Sequence, residues 1–550
     1  MRKFVLTCAL ALLVSSASFA QAQPAKNCVD VAVFSLNDFH GAFVQNPFQN
    51  IPGAPSIIQT LDSLKALYPY NLTVSAGDNF GGSYFYTATN GQLMPVFLNM
   101  AGIRISAMGN HEFDDGLPTL EKKWSDSPIR PAGWDITYLC SNVYDSQGKL
   151  PSVMQPLSVS SVRISPTKEA HIALVSLLAS SAKEQISSSK TKGLTFSGEY
   201  THVLDSVSAL PEFKDVRNAE IRALLLHIGA NMVDGVPVWN DKRPDELSKI
   251  NDPFYQALLV GHSHDAVVGH INESRKPITQ GFWHGSYINV MKFSLDTVRM
   301  EVVGVSPEIV PVRPLTKSEL RGNALRLQNQ IDSLLVCTLT KAGSPLNEYV
   351  AHANKSIIHD RTNKYIISEM GTIVCEGYAA AYRRATKHCA SKGGEAKCCG
   401  LKCKDPQMVI GVCHFGSIRA GLTKGDLTVL DIGEILPFQN DMHAYNFTGE
   451  ELLRLLDFGY HNMRSGWLQY SNLEVVRTED GSVSYATYIA PDGTRHPIVR
   501  GDKLVLVLDS FMAGGGDGYS GFFFPENRID VELPAATDCL IKYLQEKKTI

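Results

Sequence analysis

Five short apolar runs in this chain each stop on a residue that can bind a metal ion, and that repetition limits the folds open to it. VAVFSL is followed by Asn37-Asp38-Phe39-His40, NLTVSA by Gly77-Asp78-Asn79, RISAMG by Asn110-His111-Glu112, IRALLL by His227, and QALLVG by His262-Ser263-His264. Each run is rich in Val, Ile and Leu and reads as a strand of a sheet covered on both faces. The ends of such strands converge on one edge, where open α/β sheets place active sites. Asp, His and Asn without Cys suit hard-to-borderline divalent ions rather than a structural thiolate site. One such ending is an ordinary turn, since Asp and Asn favour turns for local hydrogen-bonding reasons. Five in series, in a chain with 16 His, point to a dinuclear metal centre.

At 550 residues the chain is too long for one ordinary core, and two domains are expected. Residues 1–22 read as a secretory signal: Arg2 and Lys3, an apolar stretch from Phe4 to Val14, then small residues at Ser18 and Ala20 or Ala22. That stretch falls short of the roughly 20 residues that span a bilayer, and no other segment reads as a membrane span. The expectation is an exported, periplasmic or secreted protein. Export makes cysteines disulfide material. Cys389, Cys398, Cys399 and Cys403 cluster in KHCASKGGEAKCCGLKCKDP without paired C-x-x-C zinc knuckles, which favours a disulfide-stapled loop whose pairing stays open. Cys375 and Cys413 flank it and are candidates to join it. The formal net charge of −4, with no basic stripe, argues against a nucleic-acid polymer as partner and is compatible with a small phosphorylated substrate.

Residues 29–315 alternate strand-like runs with helical or polar stretches, as in a layered α/β domain. From Ser318 to Cys337 the apolar positions Leu320, Ala324, Leu327, Ile331, Leu334 and Leu335 recur at helical spacing, which predicts a linker helix within 316–342. Residues 343–550 form a second domain, with a helix-like stretch YIISEMGTIVCEGYAAAYRRA followed by further strands.

The strings NDFHG (Asn37 to Gly41), AGDNFGGS around Asp78, GNHEFDDG (Gly109 to Gly116), LLLHIG around His227 and GHSH (Gly261 to His264) resemble the calcineurin-like metallophosphoesterases, and more narrowly the 5′-nucleotidase family. FGSIRAG (Phe415 to Gly421), LPFQN (Leu436 to Asn440) and DSFMAGGGDGY (Asp509 to Tyr519) are similar to that family's nucleotide-binding domain. The fold this implies is a β-sandwich flanked by helices, a linker helix, and a C-terminal α/β nucleotide-binding domain.

The resemblance also implies two divalent ions, zinc, manganese or similar, which hydrolyse phosphate esters by clamping the phosphoryl group and lowering the pKa of a water. Asp78 matches the bridging position. Asp38, His40 and His264 match the ligands of one ion, and Asn110, His227 and His262 those of the other. His111 and Asp114, three apart, match a catalytic dyad that is separate from the ligands. Phe438 and Phe511 match the rings that sandwich a nucleobase, Asp517 the residue that binds ribose hydroxyls, and Arg419 a phosphate-binding arginine. The chain departs from the pattern twice. Lys364 stands where a second arginine is expected, and His414-Phe415 stands where relatives usually read Asn-Gly. The implied activity is hydrolysis of nucleoside 5′-monophosphates. The alternatives are a UDP-sugar hydrolase or nucleotide diphosphatase, a 2′,3′-cyclic phosphodiesterase with 3′-nucleotidase activity, and a non-catalytic nucleotide-binding protein. Against the last stand Asp78, Asn110 and His111.

Overall fold

Apolar side chains alternate along the Cys28–Leu36 strand: Val31 and Val33 enter one buried cluster, and Ala32, Phe34 and Leu36 enter another. A strand buried on both faces requires this period of two. The computed structural model describes residues 27–46, 49–123, 131–187, 189–240, 246, 250–271, 275–339, 343–361, 363–391, 408–438, 440–462 and 466–550. The N-terminal signal and Cys398, Cys399 and Cys403, with the side chain of Cys389, lie outside these.

All five apolar runs are strands. Cys28–Leu36 pairs in parallel with Asn71–Ser75, and the parallel order continues through Ile103–Ala107, Thr137–Leu139 and Met154–Gln155. Tyr287–Asp296 and Glu301–Pro311 complete this seven-stranded sheet in antiparallel fashion. A six-stranded sheet is centred on the parallel strands Lys168–Leu178, Ile221–His227 and Ala257–Val260. The two sheets pack face to face: Val31, Val33, Val74 and Ile105 of the first share a cluster with Ile172, Leu174, Leu225 and Leu259 of the second. Helices Ala54–Leu67 and Met94–Ala101 cover the outer face, burying Ile57, Ile58, Leu61 and Phe97 beside Phe34.

The linker helix runs over Gly322–Cys337, four residues later than the apolar spacing alone predicts. Glu319 accepts hydrogen bonds from the backbone N–H and hydroxyl of Thr316 at 2.8 and 2.7 Å, closing a separate turn. Arg321 is extended at φ −135°, so the helix starts after it. Its buried Ala324, Leu327 and Ile331 form a stripe, and the helix packs against Ala54–Leu67.

In the second domain a five-stranded sheet is built from Gln469–Tyr470, Met408–Cys413, Lys503–Asp509, Met442–Thr448 and Arg528–Ile529. The helix Glu369–Ser391 begins later than the helix-like stretch suggests, because Ser368 caps it: its Oγ accepts from Gly371 N at 2.9 Å. Cys375 on this helix and Cys413 on the neighbouring strand are buried free thiols, so neither joins a disulfide among the described residues.

Glu434 ties the two domains together. Its Oε1 accepts from Ser83 Oγ (3.1 Å), Tyr84 N (3.0 Å) and Phe85 N (3.2 Å), at the start of the short helix Tyr84–Ala88. Burial pushes its carboxyl up to about 7. Replacing Glu434 by Ala strands these donors and is expected to cost about 1–3 kcal/mol, read as a lower denaturant midpoint. An unchanged midpoint would show that the tether contributes nothing to stability.

Candidate active site

The ends of the two parallel strand sets meet at one edge, and the backbone there is held in an uncommon conformation. Asp38 (φ 50°), His40 (51°), Asp78 (53°), His262 (93°) and His264 (57°) are all left-handed. Non-glycine residues avoid this region except where surrounding structure enforces it, commonly at functional sites. The turns sit very close together. A Cβ on Gly109 would fall 2.2 Å from Asp78 Oδ1, which explains the glycine before Asn110.

One ligand atom each from Asp38, His40, Asp78 and His264 lies within 4.8 Å of the others. His40 Nε2 is 2.9 Å from His264 Nε2, and His264 Nε2 is 3.3 Å from Asp38 Oδ1. On the other side His227 Nε2 is 3.2 Å from Asp78 Oδ2, and His262 Nδ1 is 3.1 Å from Asn110 Oδ1. Backbone carbonyls anchor both rings: His40 Nδ1 donates to Phe80 O at 3.3 Å and His227 Nδ1 to Ala76 O at 2.7 Å, which turns both Nε2 atoms inward. All seven sequence-predicted ligands are thus brought together.

The electrostatics suit cations. Burial alone would raise the Asp78 carboxyl, but His227 and His111 hold it well below the usual carboxylate range. Burial lowers His227, yet Asp78 and Asp38 outweigh it and push the imidazole up to about 10. Burial, helped by His227, brings His262 down to about 4. Two buried carboxylates with inward-facing ring nitrogens fit divalent ions of the borderline class.

Glu112, within GNHEFDDG, organises these turns. Its carboxylate accepts from Asp78 N (2.9 Å), Asn79 N (2.9 Å) and Gly109 N (2.7 Å), clasping the Asp78 turn to the Asn110 turn. A Glu beside three chemically obvious residues carries no signal of this until the turns are seen to touch.

His111 and Asp114 form the expected pair, Nδ1 to Oδ2 at 2.7 Å. Burial pulls the imidazole down, but Asp114 and Asp78 overcome it and raise the group above its ordinary value. Gly81 (φ 66°) is required here, since a Cβ would lie 2.6 Å from Asp114 Oδ2.

The second domain closes over this edge. The Phe438 ring lies parallel to His111, centroids 5.8 Å apart at 8°, and the Arg419 guanidinium is 5.5 Å from the Phe438 centroid. Burial lowers Arg419 to about 10 against the raising pull of Asp78, Asp114 and Asp38. Its Nε and Nη2 have no hydrogen-bond partner among the described residues. Phe511 stacks on His414 (4.7 Å, 28°), and His414 Nδ1 is 3.0 Å from Asp517 Oδ2. His414 therefore joins the ring and the carboxylate expected to hold base and ribose. Lys364 lines the cavity with its Nζ 5.5 Å from the Tyr365 ring. Arg361, three residues earlier, also lines the cavity, and its Nη1 is buried without a hydrogen-bond partner among the described residues.

The model of the 5′-nucleotidase C-terminal domain matches residues 349–523. The 5′-nucleotidase of Mus musculus is 21% identical over 92% of this chain and 87% of its own length. The trifunctional nucleotide phosphoesterase protein YfkN of Bacillus subtilis is 22% identical over 90% of this chain, which spans 32% of that relative. The crystal structure of a 5′-nucleotidase precursor from Thermus thermophilus superposes with a TM-score of 0.71 at 18% identity, covering 95% of this chain and 97% of that one. Residues 349–523 are thus a 5′-nucleotidase C-terminal domain, and over most of its length the chain is similar in sequence and in fold to 5′-nucleotidases.

Proposed function

We propose that the protein hydrolyses nucleoside 5′-monophosphates to nucleoside and inorganic phosphate, using two divalent ions, and that it acts outside the cytoplasm. The observation that carries this reading is the His111–Phe438 stack. It sets the dyad of one domain against an aromatic ring of the other, so that phosphate-handling and base-handling groups line a single cavity of about 1210 Å³. That volume is ample for a nucleotide. The apolar N-terminal run motivates export, and no helix among the described residues is long and apolar enough to cross a membrane.

In this reading Asp78 would be shared by the two ions, Asp38, His40 and His264 would hold one, and Asn110, His227 and His262 would hold the other. When bound, the ions supply charge neutralisation for the phosphoryl oxygens and a water of lowered pKa. Arg419 and Arg361 donate to the remaining phosphoryl oxygens. His111, anchored through Nδ1 on Asp114, in its protonated form places a second N–H on Nε2 against the phosphoryl group. Asp517 accepts from a ribose hydroxyl, and Phe438 and Phe511 flank the base.

The nucleotide part of this reading is tested by Phe511→Ala. Loss of one base-stacking ring is worth roughly 1–3 kcal/mol, so kcat/KM for AMP should fall about 5- to 150-fold. Ribose 5-phosphate, which has no base, should be cleaved nearly as well as before. Equal losses on both substrates would make Phe511 a structural residue.

A further inference from the structure

The loop after the Pro277–Gly281 strand carries two non-glycine residues in left-handed conformation, Phe282 (φ 61°) and His284 (φ 54°). It is fastened to the turn that bears Asp38. Asn37 Nδ2 donates to Phe282 O at 2.7 Å, and His284 N donates to Asp38 O at 2.7 Å. The strained backbone thus presents Trp283 and His284 to the metal edge.

The His284 side chain has no partner of its own. The residue is 5% exposed, and neither ring nitrogen makes a hydrogen bond among the described residues. Its ring plane is fixed by Trp283, stacked at 4.0 Å and 19°, and it stands edge-on to His40 at 5.8 Å and 85°. Trp283 also stacks on His264 (5.2 Å, 22°) and lies under the Arg361 guanidinium (5.1 Å). The charged or titratable groups acting on His284 are Arg419, His264 and Arg361, with no carboxylate among them. Buried polar groups are ordinarily paired. Here the buried His284 imidazole is unpaired among the described residues, as are guanidinium nitrogens of Arg361, which lies over the Trp283 ring stacked on His284, and of Arg419. An oxyanion is the ligand that would satisfy all of them at once.

We propose that His284 is a further substrate-contacting residue, its ring N–H donating to a phosphoryl oxygen held between Arg361 and Arg419. This rests on the phosphoester reading and deepens it, by adding a residue from the first domain to the anion-binding wall.

Titration calorimetry of inorganic phosphate into metal-loaded protein, with metal content measured alongside, tests the assignment independently of which ester is cleaved. His284→Ala should weaken orthophosphate binding about 10-fold, the loss of one hydrogen bond to a charged oxygen. His284→Gln keeps an N–H donor and should stay within about threefold of wild type by the same reasoning. Metal content should be unchanged in both. An unaltered Kd in the Ala variant would overturn the proposal, as would equal weakening in the Gln variant or metal loss in step with phosphate loss. If wild type fails to cleave AMP while this pattern of Kd values holds, the nucleotide reading falls and the His284 assignment stands.

Discussion

Asp78→Asn is expected to remove nearly all phosphate release and to lower metal content below two ions per chain. Asp78 stands between the two ligand sets, with His227 Nε2 3.2 Å and His40 Nε2 3.9 Å from its Oδ2. A carboxylate shared by two cations contributes charge to both. The Asn isostere keeps the shape and removes that charge. Loss of a group that only supports a ligand costs 10- to 100-fold in affinity or activity, so loss of the bridge should exceed about 100-fold. Metal analysis beside a phosphate-release assay checks both parts. Wild-type turnover with two ions retained would sink the bridging assignment.

His111→Ala should behave differently: rate falls on the order of 10²- to 10⁴-fold, as for a positioned acid-base group, while metal content holds. The separation is possible because the His111 ring bonds Asp114, and only its backbone N–H reaches Asp78, at 2.9 Å. Ala preserves that backbone donor. Metal loss in parallel with rate would assign His111 to the ion site instead. Asp114→Asn supplies the companion measurement, since an amide keeps the size but not the charge that raises His111.

The clustering of the candidate ligands at the strand ends was legible in the sequence because its logic is local. A buried strand must be apolar, and whatever follows it is delivered to the sheet edge, so Asp38, Asp78, Asn110, His227 and His262 could be placed together before any coordinates. Helix starts were less legible. The turn made by Glu319 on Thr316 and the cap made by Ser368 each shift a start that apolar periodicity cannot locate. Least legible were residues whose role depends on contact across long separations. Glu112 clasps two turns, and Glu434 holds a helix of the other domain. His284 and Trp283 come from a loop with no motif of their own. The resemblance points to Lys364, and only the fold shows the Arg361 guanidinium over Trp283, which stacks on His264. His414 illustrates the converse: as a departure from pattern it signals change, and the structure shows its ring on Phe511 and its Nδ1 near Asp517.

Phosphate release by the metal-loaded wild-type protein from a panel of AMP, 3′-AMP, 2′,3′-cyclic AMP and UDP-glucose addresses the proposed function most directly. Turnover of AMP well above the other three, abolished by chelator and restored by added divalent ion, is the expected result. Preferred turnover of 3′-AMP or the cyclic nucleotide, or AMP hydrolysis that survives complete removal of metal, would contradict it.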